Sequence, residues 1–174
     1  MKTKKVLKKA HKFAEPFRVT HGEKFRLKDV DPGYTLGFKD KEAHPRAKEA
    51  VAAGVEALAQ MQDKLYAQVL IFQAMDAAGK DGTIKYVMSG FNPEGCLVYS
   101  FKSPSAEDLD HDFLWRCMKC LPNRGHIGIF NRSYYEETLV VRVHPEFLAK
   151  QRIRPSLVTK RIWDGRLGKL RKAE

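Results

Sequence analysis

The chain has 174 residues, 43% hydrophobic and 30% charged, with a formal charge of +11. That balance supports a packed core and excludes a wholly disordered chain, a collagen-like repeat and a disulfide-stapled miniprotein. No apolar run approaches the roughly 20 residues of a membrane span, and the lysine-rich beginning lacks a signal peptide's apolar stretch, so the sequence predicts a cytoplasmic protein without a membrane partner whose Cys96, Cys117 and Cys120 stay reduced.

The charge is uneven. Residues 142–174 hold ten basic and three acidic side chains, whereas residues 67–141 hold seven and nine. Basic flanks suit a polyanion, and they also serve solubility.

Taken in chain order, residues 1–12 contain six lysines and no acid, the pattern of a solvated arm. Residues 13–44 are interrupted by Pro16, Gly22, Pro32, Gly33 and Gly37 yet keep Phe13, Phe17, Phe25, Tyr34 and Phe38. This predicts an extended segment pinned by its aromatics. Ala47, Val51, Val55, Leu58, Met61 and Leu65 recur at helical spacing after Pro45, predicting a helix over 45–68. The domain organisation expected is a basic arm and extended segment over 1–44 and one further domain over 45–174.

Three short apolar runs follow, at 69–72, 96–101 and 126–130. Helical patterns at 81–90 and 105–121 separate them, the second opened by Ser105 with Asp108 three residues on, an acidic relative of the capping box. Strands that are apolar throughout and alternate with helices indicate a parallel α/β sheet covered on both faces. Residues 133–142 and 156–163 read as two more helices, with a stretch holding Pro145 and Pro155 between them.

The first strand runs into AMDAAGKDGT at 74–83. A small residue, four more, then Gly79 and Lys80 is the spacing of a Walker A loop, in which a helix N-terminus and a lysine receive phosphates. Ala74 replaces the first glycine and Asp81 the usual hydroxyl residue, leaving Thr83 as the nearest hydroxyl. A carboxylate at Asp76 would repel phosphates unless a divalent cation lay between, so Asp76 points to Mg2+. The third strand ends in FNRSYYE at 130–136, and in this topology its C-terminal end lies beside the loop. Asn131 can offer an amide oxygen to a metal, and Arg132 can fork onto phosphate oxygens. The same pair also reads as a helix cap assisted by Ser133. Cys117 and Cys120 form a lone C-x-x-C, which without a second pair reads as core packing.

These residues together resemble the polyphosphate kinase 2 family. The likeness covers DPGYTLGFKDK at 31–41, LYAQ at 65–68, QAMDAAGKDGT at 73–83, VMSGFNP at 87–93, SFKSPSAEDLDHDFLWR at 100–116, GIFNRSYYEETLVVRVHP at 128–145 and LVTKRIW at 157–163. The resemblance implies a P-loop kinase-like fold and Mg2+-dependent phosphoryl transfer from inorganic polyphosphate to a nucleotide, with Asp76, Lys80 and Arg132 catalytic and Asp76 and Asn131 at the metal. Ala77, Ala78, Gly79, Asp81, Gly82 and Thr83 would cradle phosphate, Lys85 and Lys102 would line the polymer path, and Glu136 would touch acceptor or metal. Asn131 followed by SYYE resembles the subgroup that accepts AMP as well as ADP, with ATP as the final product. The family runs on past the point where this chain stops, so the resemblance implies a chain truncated before the lid, a sheet incomplete on its C-terminal side and impaired activity. DGRLGKLRKAE, from 164, departs from the pattern, with two glycines where a helix should run on. An unpaired apolar edge at Val69–Phe72 would then favour a homo-oligomer. Two other readings stay open: an inactive phosphate- or nucleotide-binding module, and a basic nucleic-acid-binding domain, for which no accompanying motif is present.

Overall fold

The computed structural model describes residues 2–38, 43–62 and 67–173. They fall into two compact units, Met1–Lys64 with Tyr86–Asn92, and Leu65–Lys85 with Pro93–Glu174.

The first unit pairs two helices. Residues Lys2–Ala14 form α1, where the lysine run predicts a solvated arm. Lysine and alanine are good helix formers, and Val6, Ala10 and Phe13 fall on one side, lining a groove with Ala50 and Ala53 of α2, Ala43–Gln62. The expected continuation of α2 over residues 63–66 lies outside the described residues, as does part of the 31–41 match, and its expected end at Gln68 is instead the first residue of a strand, Gln68–Phe72. Three single turns of 3-10 helix occupy the segment between α1 and residue 38. Its aromatics pair with one another, Phe13 with Phe38 at 6.2 Å and Phe17 with Tyr34 at 5.8 Å between ring centroids. Gln62 is buried and exchanges hydrogen bonds with the Asn92 backbone, at 3.2 and 3.0 Å. Gly90 is obligatory beside it, because a Cβ there would lie 1.9 Å from Val55 Cγ1.

The second unit is built on a three-stranded parallel sheet, β1 Gln68–Phe72, β2 Cys96–Ser100 and β3 Ile127–Asn131, in the order β1-β3-β2. All three expected strands are present, and the class is the α/β, P-loop kinase-like one that the sequence predicts. β3 is buried through Phe130 because it is covered by a neighbour on each side. β1 is an edge among the described residues, with Leu70 exposed. Phe101, Cys117, Phe130, Tyr134 and Leu170 form the core, and Val69, Ile71 and Tyr99 pack on it.

Helix α3, Lys80–Met88, starts one residue earlier and ends two residues earlier than the expected 81–90. The 105–121 pattern resolves into two short helices, α4 Ala106–Asp110 and α5 Trp115–Met118. Ser105 and Asp108 close a reciprocal capping box. The break comes where the Asp112 carbonyl and carboxylate accept from the Trp115 and Leu114 amides, starting a new turn. Helix α6 spans Glu136–Val143. The Pro145–Pro155 stretch contains a further helix, α7 Pro145–Lys150, since proline suits a first helical turn. In place of the helix expected at 156–163, one 3-10 turn at Pro155–Leu157 leads into α8, Ile162–Ala173, which runs through Gly165 and Gly168. Burial of Arg166 and Leu170 outweighs the roughly 1 kcal/mol that each helical glycine costs.

Candidate phosphate-binding site

Phe72 and Asn131 are register partners at the ends of β1 and β3, so the segments leaving both strands start side by side at the carboxyl end of the sheet. Ligands of open parallel sheets collect at that end. The Arg132 amide donates to the Phe72 carbonyl at 2.9 Å, tying the two exits together.

The loop from Gln73 to Gly79 turns through positive φ at Ala77 (63°) and at Gly79 (82°). Only glycine takes this region freely, so Gly79 suits its position and Ala77 is held under strain. The loop delivers the chain to α3 with Lys80 first, followed by Asp81 and Gly82, three residues whose amides precede the first intrahelical bond, Thr83 N–H to the Gly79 carbonyl at 2.9 Å. The Thr83 hydroxyl also donates to Gly79, at 3.1 Å.

Lys80 and Asn131 are brought together. Lys80 Nζ donates to Asn131 Oδ1 at 2.5 Å and to Asp81 Oδ1 at 3.0 Å, and Asn131 Nδ2 donates to the same Asp81 oxygen at 2.7 Å. Donation from Lys80, and then from Asn131, holds the Asp81 carboxyl below its ordinary value. Asp76 and Arg132 are joined too, Arg132 Nη2 lying 2.7 Å from Asp76 Oδ1 while the Asp76 side chain stays 89% exposed. Arg132 sits at φ 64°, a conformation costing a non-glycine residue on the order of 1 kcal/mol or more.

A cavity of about 330 Å³ adjoins this end, lined by Phe101, Lys102, Arg116, Arg132, Glu136 and Lys150 among others. It gathers three of the expected residues, Lys102, Arg132 and Glu136. Lys85, exposed on α3, does not line it, and Ala77, Ala78, Gly79, Asp81, Gly82 and Thr83 are all exposed along the loop and first helical turn. The sequence gives no signal for two residues that shape the site. Gln73 Nε2 donates to Glu136 Oε1 at 2.6 Å and Gln73 Oε1 accepts from the buried Ser133 hydroxyl at 3.3 Å, stapling the root of the loop to the start of α6. Arg116 donates to the Lys102 carbonyl at 2.8 Å and to Glu137 at 3.4 Å.

Cys117 is buried and Cys120 half-buried, both free thiols. Burial pushes Cys117 up to about 11 and raises Cys120 also, the reverse of a reactive or metal-binding thiol. Among the described residues no three His, Cys, Asp or Glu side chains gather as a metal cage, and no helix is long and apolar enough to cross a membrane.

A glycine-lysine loop between the first strand and its helix, facing an arginine at the end of a parallel neighbour, is the arrangement of a P-loop kinase-like fold. The family model for Polyphosphate kinase 2 matches residues 39–164, and the chain belongs to that family. It is 52% identical over 146 residues to an ADP-polyphosphate phosphotransferase of Rhodopseudomonas palustris, covering 79% of this chain and 48% of the relative. Against an AMP/ADP-polyphosphate phosphotransferase of Meiothermus ruber it is 40% identical over 164 residues, covering 91% and 56%. The crystal structure of Polyphosphate Kinase 2 from Arthrobacter aurescens superposes with a TM-score of 0.73 at 35% identity, over 91% of this chain and 54% of that one. The chain thus spans about half the length of the curated relatives it matches.

Proposed function

We propose that this chain carries the phosphate-binding centre of a Mg2+-dependent transfer of a phosphoryl group from inorganic polyphosphate to a nucleotide, ADP and also AMP, with ATP as the final product. The convergence of Lys80 and Arg132 on the carboxyl ends of β1 and β3, each beside an acidic or amide partner, is the observation that carries this reading. The relatives named for ADP and for AMP/ADP support the choice of acceptor.

A nucleotide phosphate is already ionised, so the reaction needs little base catalysis and depends on positioning and on neutralising the charge of the transferring group. Lys80 is mostly buried, with a side chain 10% exposed, and is therefore aimed rather than wandering. A phosphate oxygen entering its shell would exchange with the Asn131 amide oxygen or the Asp81 carboxylate. Arg132 offers a second cation from the other strand. Mg2+ is commonly held by one or two carboxylates together with substrate phosphates, and the exposed Asp76 carboxylate fits that role; the Asn131 amide oxygen, which accepts from Lys80, would join it on releasing that bond. There Mg2+ would supply neutralisation between Asp76 and the phosphates that Asp76 alone would repel. Gln73 and Ser133 hold the loop root so that these groups keep their spacing.

Lys80→Ala should cost on the order of 3 kcal/mol in the barrier, roughly a hundredfold in rate, because it removes a charge-assisted contact to the transferring group. The measurement is ADP- and AMP-dependent polyphosphate consumption by purified chain, with far-ultraviolet circular dichroism confirming an unchanged fold. Equal turnover in both proteins would remove this site from the reaction.

A further inference from the structure

Helix α1 carries most of its charge on one side, with Lys9 and Lys12 at the border of the groove lined by its apolar residues. Lys4, Lys8 and Lys12 form one row at i, i+4 spacing, Lys5 and Lys9 form a second row beside it, and Val6, Ala10 and Phe13 form a third row that Lys9 adjoins. All five lysines are exposed, and none takes part in an ion pair among the described residues. Like charges at i, i+4 destabilise a helix by about 0.2–0.5 kcal/mol a pair, so the arrangement costs stability unless an anion lies along it. From Lys4 to Lys12 the row runs about 12 Å at the helical rise, long enough for several consecutive phosphates. This helix precedes the family match, which begins at residue 39, and belongs to the other unit from the loop.

We propose that the lysine face of α1 is a docking surface for inorganic polyphosphate, a holding site additional to the loop at Lys80. The identity of the polymer rests on the proposed reaction. Two other polyanions fit less well. A basic amphipathic helix binds a membrane by sinking its apolar side among lipids, but in α1 that side borders α2, where Val6, Ala10 and Phe13 line a groove with Leu36, Phe38 and Ala53 and the charged Lys9 and Lys12 stand in the same lining. A single-stranded nucleic acid is held by stacking its bases on aromatics. Phe13, Phe17, Tyr34 and Phe38 instead pair with each other, and the rows of Lys4, Lys8, Lys12 and of Lys5, Lys9 hold no aromatic. A polymer of phosphates without bases matches those rows.

The test uses the full 174-residue chain without nucleotide, titrated with long-chain polyphosphate and, separately, with tripolyphosphate, at salt from about 50 to 200 mM. Lys4→Gln, Lys8→Gln and Lys12→Gln together remove charge while keeping helix propensity, and the corresponding three Lys→Arg changes keep the charge. The Gln variant should bind the long polymer about tenfold or more weakly at low salt, with a salt slope shallower by about 2, while tripolyphosphate binding stays unchanged. The Arg variant should match wild type. Unaltered long-chain affinity and slope in the Gln variant would overturn the proposal, as would equal loss in the Arg variant. Tighter binding of wild type to duplex DNA or to anionic phospholipid vesicles than to polyphosphate would overturn it too. The Lys80→Ala chain should keep the α1-dependent part of binding. A chain that binds long polyphosphate through α1 yet transfers no phosphoryl group would remove the proposed reaction and leave this surface standing.

Discussion

Two sets of charged groups meet the start of α6, and they are built to opposite ends. At the loop, Asp76 and Arg132 are paired with side chains 89% and 37% exposed. Behind α6, Glu137 lies between Arg116 and Arg166, with side chains 4%, 10% and 6% exposed. Its carboxylate accepts from Gln151 at 2.5 Å, its backbone carbonyl from Arg166 at 2.6 Å, and Arg166 also donates to Gln151 and lies over the Phe113 and Trp163 rings. Solvated charges exchange partners at little cost, as a phosphate site must. Buried charges cannot, because either partner left alone would be desolvated and unpaired. The first set is thus available to ligand, and the second fixes α5, α6, α7 and α8 together.

Mutation separates the two directly. Glu137→Ala should cost about 3–5 kcal/mol by stranding two buried arginines, lowering the melting temperature on the order of 10 °C in a chain of this size. Asp76→Ala should leave the melt within about 0.5 kcal/mol. Thermal unfolding of the two variants side by side is the measurement, and comparable losses would erase the distinction between solvated and buried charge.

How much of this was legible beforehand depended on sequence distance. The three strands declared themselves as continuous apolar runs, and Ser105 with Asp108, or Gly79 with Lys80, lie within a few residues of each other. Gln73 and Glu136 are 63 residues apart, and nothing local to either says that they bond. The lysine run of α1 hid its apolar row because charge density dominates that stretch. The pattern at 105–121 concealed a break because Asp112 restarts a helix that periodicity alone continues. Gly165 and Gly168 argue against α8 by propensity, and tertiary burial of Arg166 and Leu170 overrides them.

Burial leaves a second signature in the same unit, and it sharpens the comparison through pH. Desolvation raises the Cys117 thiol from its ordinary 9.0 to about 11. A raised value in the folded state means that the neutral thiol contributes stability present in full below about pH 9 and lost as pH climbs toward 11. Cys120, also raised, acts with the same sign. Denaturant unfolding followed from pH 8.5 to 11 should therefore show falling stability in wild type and a flatter course in Cys117→Ala. Parallel curves would mean that the thiol ionises as freely in the folded chain as in the unfolded one. Asp81 runs the other way. Its carboxyl is held below 3.8 by Lys80 and Asn131, so its contribution is complete at neutral pH and disappears only in acid as pH falls through that lowered value.

A loss smaller than that at Glu137 is expected at an exposed element near both charge sets. Ser105 Oγ accepts from the Asp108 amide at 3.1 Å, and Asp108 Oδ2 accepts from the Ser105 amide at 2.8 Å. This box starts α4, whose Leu109 lines the cavity shared by Arg132 and Glu137. Ser105→Ala removes one half of the exchange and leaves the Asp108 amide to water. It should cost about 1 kcal/mol, or roughly 2–4 °C in melting temperature. Ser105→Gly, which keeps the extended cap backbone accessible, should cost only a few tenths of a kcal/mol. Because α4 is a single short turn, the cap supplies much of its local order, and amide hydrogen exchange at Asp108 and Leu109 should speed up in the alanine variant before any change at β3. Equal protection of Asp108 in wild type and Ser105→Ala would show that α4 is held by its packing against the cavity wall and not by its cap.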